Sequence, residues 1–167
     1  RVHDGRKPGM STPSPEAVER LLYDEADCLD RGDLDAWLEL YTADATYWMP
    51  VDPGQTDPKR HISLFYDTRL LMEIRRNNFG HPFAASMEYP LRCSHIIGNI
   101  RIMEGSDAHT CTVASNFQAV VYYKTQTVYA GRYTHELVSD GGRWQIRHKR
   151  VDLINCDAEH GNLIIYL

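Results

Sequence analysis

Long apolar runs are missing from this 167-residue chain. No uninterrupted stretch approaches the roughly 20 apolar residues that a bilayer-crossing helix needs, so no transmembrane helix and no membrane partner are expected. The first residues are polar and hold no apolar central stretch, so no secretory signal is read there and cytoplasmic residence is expected. Cysteine is scarce. Cys28, Cys93, Cys111 and Cys156 stand far apart with no paired spacing, which reads as four reduced thiols rather than a disulfide framework. A basic excess is absent too: 18 Lys and Arg against 23 Asp and Glu give a formal net charge of −5. That balance disfavours a general nucleic-acid binder, whose footprint is a basic face on a basic domain. Internal repeats and low-complexity tracts are also lacking.

The short motifs of several chemistries are missing as well. There is no His-Glu-x-x-His, no Gly-x-Ser-x-Gly elbow, and no glycine loop of the phosphate- or dinucleotide-binding type. The eight histidines are scattered. Cys93-Ser94-His95 has the form of half a Rieske site, and Cys111 follows after 15 intervening residues. The second half of such a site needs Cys-x-x-His, because each iron takes two ligands. Ala114 stands where that histidine would be. Cys93 and Cys111 therefore read as small buried residues, and neither metal nor cofactor is expected in this chain.

What is present fits one globular domain. Hydrophobic residues make up 43% and charged residues 25%. A chain of this size buries roughly 70% of its unfolded surface and needs no metal or disulfide staple. Residues 1–15, punctuated by Pro8, Pro13 and Pro15, read as a tail, with Met10 a candidate natural start; residues 16–167 form the domain. Ser14 offers a helix N-cap, Pro15 the first helical position and Glu16 a first-turn acid. Val18, Leu21, Leu22, Ala26 and Leu29 follow at helical spacing, and Arg31-Gly32 ends the run. Asp33 caps a second short helix carrying Leu34, Trp37, Leu38 and Tyr41. Residues 45–51 (Ala-Thr-Tyr-Trp-Met-Pro-Val) read as a strand that lies at an edge or ends at Pro50. A loop over 52–60 leads to a short apolar piece at 61–66. Asp67 is expected to cap a third helix to about residue 77, with Leu70, Leu71 and Ile74 inward; 80–89 reads as loop.

The second half changes texture. Segments 92–104, 110–124, 126–139 and 143–155 are long and β-rich, separated by turn residues around Gly105 and Gly141-Gly142, and 162–166 is a candidate last strand. Helices followed by an antiparallel meander predict an α+β domain with helices packed on one face of a sheet. Strands this long must twist and curl, so the sheet is expected to wrap the helices as a cone.

Two constellations stand out. Asp44, Tyr47 and His95 are residue types that serve a dehydratase or isomerase at the open end of a cone. Alternatively, Asp44 ends a helix, Tyr47 fills core and His95 is a hydrogen-bonded strand residue. The densest charge cluster is Arg143-Trp144-Gln145-Ile146-Arg147-His148-Lys149-Arg150. Strict alternation puts Trp144, Ile146, His148 and Arg150 on one face and Arg143, Gln145, Arg147 and Lys149 on the other. Pairing across a subunit interface suits it better than nucleic acid.

From about residue 18 onward the chain resembles the small (β) subunit of aromatic-ring-hydroxylating dioxygenases. The pieces are Asp33-Leu34-Asp35-Ala36-Trp37-Leu38 followed by Tyr41-Thr42-Ala43-Asp44-Ala45-Thr46-Tyr47-Trp48-Met49-Pro50, then the stretch with Asp67, Arg69, Leu71 and Arg75. Arg92-Cys93-Ser94-His95-Ile96-Ile97-Gly98-Asn99 is similar to the family's Arg-x-Arg-His-x-x-x-Asn strand, with Ser94 where a second arginine is usual. Ser115-Asn116-Phe117, Ala130-Gly131-Arg132-Tyr133, Gly142-Arg143-Trp144-Gln145-Ile146 and the closing Asn162-Leu163-Ile164-Ile165-Tyr166-Leu167 follow in order. The resemblance implies the cone-shaped cystatin-like, nuclear-transport-factor-like fold, with a curled sheet over three helices. It implies a dioxygenase α (large) subunit as partner, with three α and three β chains and the β chains as a trimer. It places the Rieske [2Fe-2S] cluster and the mononuclear iron in α, with electrons from NAD(P)H and O₂ added to an aromatic ring. This chain is then a structural, non-catalytic subunit.

Under that reading Arg69, Arg75, Arg92, Arg147 and Arg150 are candidate interface residues, because guanidinium groups pair bidentately with a partner's carboxylates. The other readings are a stand-alone dehydratase, isomerase or cyclase using Asp44, Tyr47 and His95, and a small binding adaptor. Fold alone does not decide among them.

Overall fold

The computed structural model describes residues 13–78, 91–139, 142–161, 163 and 165–167. Most of the expected tail (1–12) and the expected loop at 80–89 lie outside the described residues. Helix α1 spans Pro15–Arg31. Ser14 Oγ accepts from the N–H of Ala17 at 3.2 Å, which satisfies one of the otherwise orphaned first-turn donors. Gly32 ends the helix with φ 68°, a left-handed conformation that costs glycine nothing. Helix α2 spans Leu34–Glu39, with Asp33 Oδ1 accepting from the N–H of Ala36 at 3.0 Å.

Strand β1 runs over Tyr41–Pro50 and β2 over Ser63–Thr68. Helix α3 is Arg69–Asn78, and β3 to β6 are Arg92–Ile102, Thr110–Tyr123, Thr125–Ser139 and Trp144–Leu153. They form one six-stranded sheet in the order β2-β1-β6-β5-β4-β3. All neighbours are antiparallel except β1 and β6, which pair in parallel. The α+β expectation and the meander of β3 to β6 are what the chain adopts. Pro50 sits at the end of β1, where the pairing with β2 shifts register. β1 is nonetheless interior to the sheet, with β2 and β3 at the edges.

Several expectations need correction. Tyr41, expected on the second helix, is the first residue of β1. Asp67 does not cap the third helix: it lies in β2, 2% exposed, where its carboxylate accepts from Tyr166 Oη at 2.6 Å and from Arg75 Nε at 2.5 Å. Helix α3 points Met72 inward, whereas Leu70, Leu71 and Ile74 are 65%, 43% and 45% exposed. The reason is an anchor at its first residue, where Arg69 Nη1 donates to the main-chain oxygens of Leu38 (2.8 Å) and Tyr41 (3.0 Å). No strand is formed by residues 163 and 165–167; Ile165, Tyr166 and Leu167 pack into the core instead.

The core lies between the inner face of the sheet and α1 and α2. Trp37 stacks on Tyr166 (4.5 Å between ring centres), and Tyr47 meets Tyr166 edge-on (4.8 Å). On the far side Phe117 stacks flat on Tyr133 at 3.9 Å. Gly131 permits a close crossing of β5 over β6: a Cβ there would lie 2.0 Å from the carbonyl oxygen of Asp152.

A β-bulge in β6 decides the interior. Leu137 pairs with Ile146, but Glu136 pairs with His148, so Arg147 is left without a partner in the ladder. The extra residue reverses the alternation beyond it. Lys149, expected on the face with Arg147, is instead buried at 2%, followed inward by Val151 and Leu153.

Candidate functional site

The interior of the cone is polar at its centre. Glu25 stands on the apolar stripe of α1, between Leu22 and Leu29, and is fully buried. Its Oε1 accepts from Tyr41 Oη at 2.5 Å and from Lys149 Nζ at 2.8 Å, and its Oε2 bonds His135 Nε2 at 2.8 Å. Burial alone would raise the Glu25 carboxyl; the Lys149 ammonium and His135 outweigh it and hold the group far below the usual carboxylate range. Burial lowers His135 and raises Tyr41, so the histidine is a neutral ring and the tyrosine a protonated donor. This cluster ties α1 to β1, β5 and β6. All its charges are spent on one another.

Beside it lies a second group. His95 Nδ1 is 2.6 Å from Asp30 Oδ1, and the main-chain N–H of His95 donates to Asp30 Oδ2 at 3.0 Å. The Cys93 thiol donates to the carbonyl of Leu29 at 3.2 Å. Ligand-type atoms of Asp30, Cys93 and His95 all lie within 4.8 Å of one another, the only such trio among the described residues. Its chemistry is that of a hydrogen-bonded pair beside a protonated thiol: burial, reinforced by Asp30, pushes Cys93 up to about 12. The half-Rieske pattern does not assemble. Cys93 pairs with Val121, ten residues along β4 from Cys111, a separation of about 33 Å at strand rise.

The three residues weighed for an acid–base pocket are not brought together. The Asp44 side chain is 69% exposed, accepts from Thr42 Oγ1 at 2.7 Å and faces Arg147 at 3.5 Å. Tyr47 is fully buried, and its hydroxyl both donates to the carbonyl of Leu167 (2.9 Å) and accepts from the N–H of Leu167 (3.0 Å). Burial raises its phenol far above the usual range. His95 belongs to the Asp30 pair.

The five arginines divide. Arg69 is spent on Glu73 and the two carbonyls already named. Arg75 binds Asp67 and lies over the Phe65 ring at 4.6 Å. Arg150 forks onto Asp152 (2.8 Å), donates to the carbonyl of Gln55 at 2.6 Å and covers the Trp48 ring at 4.4 Å. These three bind groups of their own chain, Arg150 alone reaching a loop. Arg92, over the Tyr122 ring at 4.9 Å, and Arg147 face solvent.

Exposed apolar side chains are spread over the described surface, Ile62 and Ile154 (83% and 81%) among them, and two groups of them share an element or a face. One is the α3 stripe. The other is the outer face of β3 to β5, where Ile96 and Val128 are 69% and 60% exposed, and Val120 lies directly across the ladder from Val128. Grouped exposed apolar side chains of this kind are candidate contact surfaces.

Sequence reasoning missed Glu25, Asp30, Tyr133, His135 and Lys149. A signal existed for Glu25, an acid on the apolar stripe of α1, and for His135, which alternates with Tyr133 and Leu137 in the buried phase of β5. For Lys149 the bulge hid it.

The family described as "Ring hydroxylating beta subunit" matches residues 24–159. The beta subunit of toluate 1,2-dioxygenase from Pseudomonas putida is 35% identical over 150 residues, 86% of this chain and 92% of that protein. The crystal structure of the beta subunit of benzoate 1,2-dioxygenase from Burkholderia mallei superposes with a TM-score of 0.71 at 32% identity, covering 86% of this chain and 93% of that one. A protein assigned as a scytalone dehydratase from Novosphingobium aromaticivorans superposes at 0.63 with 20% identity, over 83% of this chain and 82% of that one, which shows the fold alone.

Proposed function

The chain belongs to the ring hydroxylating beta subunit family, and we propose that it is the structural, non-catalytic small subunit of a multicomponent aromatic-ring-hydroxylating dioxygenase. Its partner is the large subunit, which carries the Rieske cluster and the mononuclear iron, and the assembly is three large plus three small chains. The two relatives are named for toluate and benzoate, so the assembled enzyme takes a ring that bears a carboxylate.

The observation that carries this reading is the sheet's outer face. Ile96, Val120 and Val128 form an apolar surface on a fold whose helices already cover the other side. An obligate interface buries upward of about 2,000 Å² with an apolar centre. Arg92, exposed on the edge strand β3, and Arg147, exposed on β6 beside Asp44, are the guanidinium groups proposed to meet a partner's carboxylates; Arg69, Arg75 and Arg150 bind groups of their own chain.

The test is co-expression with the large subunit from the same source. Wild type is expected to co-purify with it, and Val128→Glu is expected to reduce the recovered large subunit at least tenfold with unchanged circular dichroism. Full recovery with Val128→Glu takes the outer face off the interface; no recovery with wild type overturns the subunit reading.

A further inference from the structure

The edge strand β3 carries a bulge of its own. Gly98 pairs with Asn116 and Arg101 with Ala114, so Asn99 and Ile100 together oppose Ser115. Asn99 takes φ 52°, the left-handed region that asparagine tolerates better than most side chains. A bulge re-aims the side chains beyond it. Strict alternation from Gly98 would turn Arg101 inward. The extra residue puts Arg101 on the outer face, while Ile102 pairs with the buried Val113.

Arg101 thereby joins Arg132 at one concavity. Asn99, Arg101, Met103, Ala114, Asn116 and Arg132 line a pocket of about 280 Å³. Asn116 stands directly across the β4–β5 ladder from Arg132. Strand spacing and rise put the Cα atoms of the two arginines about 12 Å apart, with Ala114 and Asn116 between them. No carboxylate lines the pocket. Among the described residues neither guanidinium has an ion pair or a hydrogen bond, whereas Arg69, Arg75, Arg147 and Arg150 each reach an acid. Asp152, directly across the β5–β6 ladder from Arg132, is forked by Arg150 instead.

Two free guanidiniums and two side-chain amides make a donor set for an oxyanion, and a planar carboxylate is the group that a guanidinium meets with two parallel bonds. Met103, 45% exposed, and Ala114 give the same pocket an apolar wall. A thioether makes a favourable contact with an aromatic ring. We propose that this pocket binds a small aromatic carboxylate, with the carboxylate on Arg101 and Arg132 and the ring against Met103 and Ala114. The volume lies at the lower edge of the roughly 300–1,000 Å³ of ligand pockets, which suits a single ring. Inorganic phosphate would use the donors and leave Met103 without a contact. Arg132 is about 13 Å along β5 from Val128, so the pocket is separate from the apolar group on that face. The proposal does not depend on the subunit reading above.

The test is titration of the full ¹⁵N-labelled chain with sodium benzoate at constant ionic strength, followed through the arginine Nε–H and asparagine side-chain amide signals. Acetate and inorganic phosphate are the comparison ligands. The expected result is saturable shifts at Arg101, Arg132, Asn99 and Asn116, with benzoate binding about fivefold tighter than either comparison ligand. Arg132→Gln is expected to weaken benzoate by about tenfold, the size of one lost hydrogen bond to a charged group. Met103→Ala is expected to remove the advantage over acetate. Both positions are exposed, and the wild-type titrations stand without the variants. Benzoate no tighter than acetate or phosphate, a response that does not saturate, or one unchanged in Arg132→Gln overturns the proposal. An acidic side chain of a second copy is the other source of a carboxylate. A native mass by light scattering that falls in Arg132→Gln, with no benzoate response in wild type, assigns the pocket to that side chain and overturns the small-ligand site.

Discussion

Glu25 and Lys149 meet at 2.8 Å in the centre of the cone, each side chain 1% exposed. Two charges in that setting stabilise little in sum, but removing one leaves the other buried without compensation. Lys149→Met is therefore expected to destabilise the chain by about 3–5 kcal/mol. The double variant Glu25→Gln/Lys149→Met should regain most of that loss. Urea midpoints of the four proteins check it, and a double variant no more stable than Lys149→Met would show that the pair is not the source.

Acid should unfold the chain in two stages. His135 and His95 are buried neutral, with folded pKa values below the unfolded value of about 6.5. Their depressed values mean that the unfolded chain takes up protons first, so stability falls as pH drops below about 6.5. The Glu25 carboxyl lies far below its unfolded value of about 4.3, and its contribution is complete above that pH and lost beneath it. The groups facing it are Lys149, His135 and Tyr41, none of which changes this sign. Urea midpoints should be level between pH 7 and 8, decline from about 6.5 and decline more steeply below about 4.5. A midpoint that rises between pH 7 and 5.5 would contradict this.

Arg150 is expected to behave as a structural residue. It joins β6 to the 51–62 loop through Asp152, the Gln55 carbonyl and the Trp48 ring. Arg150→Ala should cost about 1.5–3 kcal/mol, the range for hydrogen bonds to a charged group, and shift Trp48 emission. Unchanged stability with weakened co-purification would return Arg150 to the interface.

The α3 stripe should respond differently from the core. Leu70→Glu and Ile74→Glu alter exposed positions and should change stability by no more than about 0.5 kcal/mol. If α3 meets a neighbouring chain, each should lower the native mass of the assembly measured by light scattering. An unchanged mass for both would leave α3 facing solvent in the complex.

Much of the fold was legible where local chemistry and tertiary packing agree. Ser14, Pro15 and Gly32 bracket α1 because capping and left-handed φ are local requirements. The meander strands follow from β-branched runs and turn glycines. Failures came where a partner far along the chain decided the outcome. Asp67 looks like an N-cap, yet Arg75 and Tyr166 draw it into β2. Leu70, Leu71 and Ile74 share a helical face, yet Arg69 fixes that face toward solvent. Strict alternation put Lys149 on the face of Arg147, and one unpaired residue, Arg147, separates them and turns Lys149 inward. The inward phase was readable from Val151 and Leu153. The resemblance gave the fold and the family; the buried cluster of Glu25, His135 and Lys149 had no local signature, since Glu25 lies 110 residues from His135 and 124 from Lys149.

The most direct measurement is the native mass and iron content of the complex obtained by co-expression with the large subunit from the same source. The expected result is a hetero-hexamer of three large and three small chains, with iron following the large subunit and turnover lost when this chain is omitted. A small subunit that stays apart from the large one, while the large subunit alone remains assembled and active, would contradict the account.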